Sequence, residues 1–159
     1  MNERVAAVLG VGPGLGAAVA RCFGGEGFAV AMMARKEESL AEIRRDIEGD
    51  GGTALPISAD ATDADSVAVA FERVRAELGD PEVLVYNAGA FQMGGVLDVS
   101  PTQFDKCFRA NRAGAFYAAR EVLSAMAEAG HGTILLTGAS AALRGKAKFS
   151  RRSRSASSA

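Results

Sequence analysis

The chain has 159 residues, a length that fits one domain with its own hydrophobic core. Hydrophobic residues make up 48% of the chain and the formal net charge is −1, a composition typical of a globular rather than a disordered protein. The charge is uneven, because residues 1–145 carry 13 basic and 19 acidic residues, whereas residues 146–159 carry five basic residues and no acid. A mildly acidic body argues against nucleic acid as the main partner.

Few residues of the chain are typical metal ligands. His131 is the only histidine, and Cys22 and Cys107 lack the spacing of a metal or redox motif. We therefore expect no metal site, and two buried thiols in the reducing environment of the cytoplasm. Four glycines and a proline interrupt the apolar N-terminal stretch, which is shorter than the ~18 apolar residues of a transmembrane helix. We expect no membrane segment.

The first motif is a glycine-rich turn between an apolar run and a helical pattern. Residues 5–9 are apolar, and the sequence Gly10-Val11-Gly12-Pro13-Gly14-Leu15-Gly16 follows. A strand, a glycine turn and a helix N-terminus together form the usual binding site for a dinucleotide pyrophosphate. The glycines fit two registers, Gly10-x-Gly12-x-x-x-Gly16 and Gly10-x-x-x-Gly14-x-Gly16.

Strand and helix patterns alternate after this turn, which predicts an α/β fold with a parallel sheet covered by helices. We expect further strands at 28–33, 53–58, 83–86 and 133–137, and helices at about 37–48, 64–78 and 101–129. Pro56 favours a sheet edge for the third strand, because proline cannot donate a ladder hydrogen bond. The prediction is a Rossmann-type doubly wound sheet in the order 3-2-1-4-5, with the cofactor crevice between strands 1 and 4.

Sequence signals mark two helix starts and the end of the predicted domain. Thr62 and Asp65 are spaced as a capping box, and Ser100, Pro101 and Gln103 mark the start of the long helix. The alternating pattern ends near residue 145. Residues 146–159 form a basic Ser/Arg tail, which we expect to be disordered beyond a domain at 1–145.

The residue that selects between nicotinamide cofactors is expected ~20 positions beyond the glycine motif, at the end of the second strand. An acid there would bind the ribose 2′-hydroxyl, but the sequence has Ala34, Arg35 and Lys36. A guanidinium can bind a 2′-phosphate through two hydrogen bonds. Arg35 therefore favours NADP(H) over NAD(H), the alternative being that both cations merely solvate a helix start.

Five motifs in order resemble the short-chain dehydrogenase/reductase family over residues 4 to about 145. They are the glycine turn, Asp60 after the third strand, the Asn87-Ala88-Gly89 motif after the fourth, Asn111 in the long helix, and the fifth strand. The resemblance implies an oxidoreductase acting on a small carbonyl or alcohol substrate. It also implies a homo-oligomer built through the long helix and a further helix, which we expect to be missing here. The cofactor-binding residues it implies are Gly10, Gly14, Leu15, Gly16, Arg35, Asp60, Asn87, Ala88 and Gly89.

The catalytic residues implied by the resemblance are incomplete in this chain. Asn111 matches the active-site asparagine, whereas Ser140 lies one residue beyond the position expected for the serine. The family's tyrosine and lysine lie four residues apart, but the only tyrosines here, Tyr86 and Tyr117, are followed four residues later by Ala90 and Glu121. The sequence therefore predicts a truncated or frame-shifted copy of a longer reductase, with impaired activity.

Three functions remain open at this stage. The first is an NADP(H)-dependent oxidoreductase, and the second is a remnant that binds a dinucleotide without turnover. The third assigns nucleic-acid or partner binding to the Ser/Arg tail, through salt-dependent attraction to phosphates. In all three, we expect the fifth strand and the apolar side of the long helix to lack cover, which would make the chain prone to aggregate.

Overall fold

The computed structural model describes residues 4–139 and contains one parallel sheet in the order β3-β2-β1-β4-β5. This confirms the predicted fold class and strand order. The strands are β1 (Arg4–Leu9), β2 (Phe28–Ala34), β3 (Thr53–Ser58), β4 (Val83–Tyr86) and β5 (Thr133–Leu136). The helices are α1 (Leu15–Gly25), α2 (Ala41–Gly49), α3 (Ala64–Glu77), α4 (Pro101–Phe108) and α5 (Gly114–Ala129). The strand β3, with Pro56 in its ladder, lies at an edge of the sheet as expected.

The sheet register brings the ends of three strands together. Leu9 at the end of β1 pairs with Met33 of β2 on one side and with Tyr86 of β4 on the other. The segments that follow these strands therefore leave the sheet at the same edge. The glycine turn, Arg35 and the Asn87-Ala88-Gly89 motif are neighbours for this reason.

Helices cover both faces of the sheet, so its central strands are apolar along their length. In β1, Ala7 and Leu9 face a core cluster that includes residues of α3 and α5, and Ala6 and Val8 face a second cluster with residues of α1 and α2. A strand buried on both faces has no polar side, which explains the continuous apolar runs in the sequence.

Two predicted helices differ from their expected form. The segment predicted at 37–48 begins with a 3₁₀ turn over Glu37–Leu40 before α2. The long helix predicted at 101–129 is divided into α4 and α5 by a π-helical turn at Arg109–Ala113. A π turn contains one extra residue per turn, and such turns occur frequently at functional sites. The Ser100 capping box is present as predicted, with Ser100 and Gln103 bonded reciprocally.

Two smaller predictions are wrong. The residue that caps α3 is Asp63, which accepts from the amides of Asp65 and Ser66, whereas Thr62 bonds to Asp60 instead. Neither cysteine is buried as expected, because Cys22 lies exposed on the outer side of α1 and Cys107 in α4 is half-buried. A helical pattern alone could not tell which side of α1 faces solvent.

Several expectations lie outside the described residues, among them Ser140, the end of the domain at 145 and the Ser/Arg tail. Among residues 4–139, no helix is both long and apolar enough to cross a membrane.

Apolar side chains are exposed along α4, α5 and β5, in the part of the chain that the structure describes. The largest of these are Phe104, Phe108, Phe116, Leu123, Leu135 and Leu136. Within residues 4–139, β5 pairs with β4 alone, so its other edge carries unpaired backbone groups. An exposed apolar edge strand favours pairing with other chains.

The core of α3 gives a prediction of stability. Phe71 is fully buried, at 0% exposure, whereas Val69 on the same helix is 64% exposed. We expect Phe71→Ala to lower the free energy of unfolding by about 3–5 kcal/mol, through lost burial and a residual cavity. Val69→Ala is the control and is expected to change it by less than about 0.5 kcal/mol. Denaturant titration measures both values, and equal losses would contradict the assigned packing of α3.

The exposed apolar side chains predict self-association. We expect light scattering to show that the apparent mass of the chain grows with protein concentration. Leu136→Lys should reduce this growth, because a charge on an edge strand opposes strand pairing. Val69→Lys adds the same charge at a similarly exposed position on α3, a helix outside the sheet. An unmodified chain that remains monomeric at all concentrations, or an equal effect of both variants, would contradict this prediction.

Candidate cofactor site

The glycine turn lies tightly against the end of β4. Gly10 has a φ of +99°, and a Cβ on it would overlap the backbone of Asn87 and Ala88. The carbonyl of Gly10 accepts a hydrogen bond from Asn87 Nδ2 at 2.9 Å, and the amides of Asn87 and Ala88 donate to the Leu9 carbonyl at 2.8 and 3.0 Å. A Cβ on Gly16 would lie 2.7 Å from the Gly10 carbonyl oxygen. Gly10 and Gly16 are therefore required by packing.

The other two glycines of the turn face open space. In the described part of the chain, a Cβ on Gly12 or Gly14 would meet no atom within 4 Å, and no side chain caps the N-terminus of α1 at Gly14. Leu15, the first residue of α1, is 59% exposed. The helix N-terminus therefore offers backbone N–H groups and room for an anion. Because Gly10 and Gly16 belong to both glycine registers, the packing does not distinguish the two.

Arg35 lies beside this turn because the turn is bonded to β2. The amides of Gly10 and Val11 donate to the Met33 carbonyl at 2.9 and 3.0 Å, two residues before Arg35. Arg35 is exposed and lines an open depression of about 860 Å³. The other lining residues are Lys36, Glu37, Glu38, Ala41, Arg44, Pro56 and Ser58.

Asp60 follows β3 at the same edge of the sheet. Its Oδ1 atom accepts hydrogen bonds from the Thr62 amide at 2.9 Å and from the Thr62 hydroxyl at 2.8 Å. These two bonds lower the pKa of Asp60 below its usual value; burial opposes them, and the positive charge of Arg35 adds a lowering effect smaller than that of burial. Asp60 is thus held ionised on the side of the site where Arg35 lies.

Asn111 lies in the π-helical turn and holds the segment that follows the Asn87-Ala88-Gly89 motif. Its Oδ1 accepts from the Ala90 amide at 2.9 Å, and its Nδ2 donates to the Ala90 carbonyl at 2.8 Å. A Cβ on Gly89 would lie 3.2 Å from Asn111 Oδ1. Both polar atoms of the Asn111 side chain therefore bond to backbone.

The structure brings together most of the residues selected from the sequence. Most of them lie in segments that directly follow a strand at the same edge of the sheet: the glycine turn, Arg35, Asp60, Asn87, Ala88 and Gly89. Asn111 contacts one of these segments through Ala90. Ser140 lies outside the described residues. Tyr86 had no predicted role, and it is buried with its hydroxyl donating to the Ala110 carbonyl. A polar hydroxyl at the last position of an apolar strand was the signal for it.

Burial of Tyr86 alters its acidity. Burial, and secondarily the negative charge of Asp60, raise the pKa of Tyr86 to about 12. The hydroxyl therefore remains a hydrogen-bond donor well above neutral pH.

The geometry defines a doubly wound α/β domain with a dinucleotide-type turn at its switch point, and comparison with known proteins gives the family. The family model for short chain dehydrogenases matches residues 4–155. Versicolorin reductase of Emericella nidulans is 34% identical over 143 residues, which are 89% of this chain and 53% of that protein. The chain belongs to the short-chain dehydrogenase family.

Solved structures agree with this assignment. A metagenomic short-chain oxidoreductase in complex with NADP matches with a TM-score of 0.80 and 33% identity, over 84% of this chain and 61% of that one. An NAD⁺-bound xylitol dehydrogenase matches with a TM-score of 0.85 and 27% identity, over 91% and 56% of the two chains. The chain spans about half the length of the curated relatives it matches.

The contact between Thr62 and Asp60 yields a prediction about pH. A carboxyl group with a lowered pKa stabilises the folded state above its unfolded pKa, and this contribution is lost as the pH falls through the lower folded value. We therefore expect the contribution of Asp60 to the free energy of unfolding to be lost below about pH 4. Thr62→Val should raise the pKa of Asp60 part of the way to its usual value, because the hydroxyl donor is lost and the Thr62 amide remains.

Carbon NMR of the Asp60 carboxyl group measures this change. Ser66→Ala is the matched control, because the Ser66 hydroxyl accepts from the Asp60 amide and does not touch the carboxylate. An unchanged pKa in Thr62→Val, or an equal rise in Ser66→Ala, would show that the Thr62 hydroxyl is not responsible.

Proposed function

We propose that the chain is the cofactor-binding part of an oxidoreductase that acts on a small carbonyl or alcohol substrate with NADP(H). The observation that carries the proposal is the position of Arg35, directly beyond the point where the glycine turn is bonded to β2. A bound dinucleotide would supply the nicotinamide for hydride transfer. The chain's own residues would bind and orient that cofactor.

The residues present fit a dinucleotide. The N-terminus of α1 has no side-chain cap, and the space beside Gly12 and Gly14 is open to a pyrophosphate. Backbone N–H groups at a helix N-terminus favour an anion in that position. Asp60 lies on the side of Arg35, where the adenosine half would extend, and Asn87-Ala88-Gly89 would border the opposite half.

Charge at the end of β2 supports the phosphorylated cofactor. Arg35 and Lys36 occupy the place where an acid would bind an unphosphorylated ribose. Glu37 and Glu38 line the same depression, but Glu37 pairs with Arg73 of α3 at 3.5 Å. A guanidinium beside an open depression can bind a 2′-phosphate through two hydrogen bonds. The related structures with NADP and with NAD⁺ make both cofactors reasonable for this fold.

The surroundings of the two tyrosines favour a second candidate, dinucleotide binding without turnover. The Tyr86 hydroxyl donates to the Ala110 carbonyl from a buried position. Four residues after Tyr117 stands Glu121, whose carboxylate lies 3.4 Å from Arg75. Ala90 stands four residues after Tyr86, so neither tyrosine is followed at that spacing by a lysine that could assist proton transfer. A positioned proton donor contributes about 10²–10⁴-fold to such reactions, so any turnover by these residues would be slow.

Two measurements separate these candidates. Calorimetry with NADP⁺ measures binding, and loss of NADPH absorbance with a panel of aldehydes and ketones measures turnover. Binding together with turnover supports the oxidoreductase, whereas binding without turnover supports the second candidate. If the folded chain binds neither NADP⁺ nor NAD⁺, both are wrong.

Arg35 gives the sharpest prediction of cofactor preference. We expect NADP⁺ to bind more tightly than NAD⁺, and Arg35→Asp to reverse this order. Hydrogen bonds to a charged group contribute about 1.5–3 kcal/mol, so the variant should weaken NADP⁺ binding roughly 10–100-fold. The variant should weaken NAD⁺ binding much less, since NAD⁺ has no 2′-phosphate.

Arg45→Asp is the matched control for Arg35→Asp. It makes the same change of charge on α2, where Arg45 donates to the Ala41 carbonyl alone among residues 4–139 and does not line the depression. We expect the ratio of the two dissociation constants to remain within about threefold of the unmodified value. Equal affinities for both cofactors in the unmodified chain would refute the preference for NADP(H), as would an unchanged order in Arg35→Asp.

A further inference from the structure

Three segments of the candidate site meet at the hydroxyl of Tyr86. The tyrosine is 3% exposed and ends β4, directly before the Asn87-Ala88-Gly89 motif. Its hydroxyl donates to the carbonyl of Ala110, a buried residue in the π-helical turn. The bond therefore joins the sheet to the turn that carries Asn111.

The exit of the π-helical turn is packed against the same hydroxyl. A Cβ on Gly114 would overlap the Tyr86 hydroxyl and the Ala61 carbonyl oxygen. Gly114 also donates its amide to the Arg109 carbonyl five residues earlier, the bond that defines the π turn. Ala61 directly follows Asp60, so the loop after β3, the end of β4 and the π turn are in contact at this point.

The Asn111 side chain needs such an anchor. Its two hydrogen bonds to Ala90 are exposed, and hydrogen bonds in reach of water contribute little net stability. The position of Asn111 is therefore set by the backbone of its turn. Among residues 4–139, the hydrogen bond from the Tyr86 hydroxyl to the Ala110 carbonyl is the side-chain bond that holds this turn from its buried side.

We propose that Tyr86 is a positioning residue that acts through Asn111. Its hydroxyl fixes the Ala110 carbonyl, and the adjacent Asn111 is thereby aimed at Ala90. Ala90 is thus held in place two residues beyond Ala88, whose backbone packs against Gly10. The proposal rests on the proposed function only for its effect on dinucleotide binding. Its effect on the Ala90 backbone is independent of any ligand.

Two properties of the chain suit this role. The pKa of about 12 keeps the Tyr86 hydroxyl protonated at physiological pH, so it remains a donor. Phenylalanine at this position would keep the ring in the core and remove only the donor. The Ala110 carbonyl would then be buried without its partner, and the turn would shift or open to water.

Hydrogen exchange followed by NMR tests the link without a ligand. In Tyr86→Phe, we expect the Ala90 amide to exchange about tenfold faster, while the amide of Val8 in β1 is unchanged. Tyr117→Phe is the matched control, since it removes the other tyrosine hydroxyl, to which the described part of the structure gives no hydrogen bond. An Ala90 amide that exchanges equally in all three chains would overturn the proposal.

A double-variant cycle separates positioning from general stability. Asn111→Ala removes the bond to Ala90 directly, so Tyr86→Phe should add little to the Ala90 exchange rate in that background. If Tyr86 served general stability alone, the effects of the two substitutions would add, both on the free energy of unfolding and on Ala90 exchange. Additive effects on Ala90 exchange would therefore overturn the proposal.

Dinucleotide affinity provides the second readout. We expect Tyr86→Phe and Asn111→Ala each to weaken NADP⁺ binding by about three- to tenfold, and the double variant to be no weaker than Asn111→Ala. If the unmodified chain binds no dinucleotide, the proposed function fails, and the exchange of Ala90 still decides the role of Tyr86. If it binds and Tyr86→Phe binds equally well, the positioning role fails alone.

A measurement that needs no change at Tyr86 applies if Tyr86→Phe does not fold. The Tyr117→Phe chain contains Tyr86 as its only tyrosine, so its hydroxyl proton exchange can be followed at the ring carbon without ambiguity. We expect this proton and the Ala90 amide to become exposed in one opening event, with the same dependence on denaturant. An Ala90 amide that opens independently of the Tyr86 hydroxyl would overturn the proposal.

Discussion

The close contact between Gly10 and Ala88 is the constraint on which the site depends. Parallel pairing places Leu9 beside both Met33 and Tyr86, so the segments after β1, β2 and β4 leave the sheet together. They can only do so if the turn after β1 has no side chain where the backbone of Ala88 passes. Gly10 satisfies this with a positive φ that other residues rarely adopt. The approach of α1 then requires a second glycine, Gly16.

The same geometry concentrates charge at one edge of the sheet. Arg35 follows β2 and Asp60 follows β3, and the positive charge of Arg35 helps to keep Asp60 ionised. The depression beside Arg35 is open, so the guanidinium is available to a ligand, whereas the carboxylate of Asp60 is already held by Thr62. Asp60 is thereby held in one direction, and Arg35 lies exposed on the same side of the site.

The described residues form the framework of the proposed cofactor site. The turn, the sheet edge and the π-helical turn form a frame for a cofactor, and the chain spans about half the length of its curated relatives. Within the frame, the polar side chains act mainly on backbone: Asn87 holds Gly10, Asn111 holds Ala90, and Tyr86 holds Ala110. The fold thus uses these side chains to set positions.

Local patterns in the sequence determined the strands and the glycine turn, because apolar runs and glycine spacing act over a few neighbouring residues. The strand order was predicted from the alternation of strands and helices together with the glycine turn after β1. They also placed Ser100 at its helix start, since a capping box is closed within four residues. The π-helical turn, by contrast, depends on contact with Tyr86 and Ala61, from distant parts of the chain. The partner of Thr62 and the exposure of Cys22 were likewise decided by which faces pack together. Propensity is a property of a segment, whereas burial and hydrogen-bond partners are set by the segments folded against it.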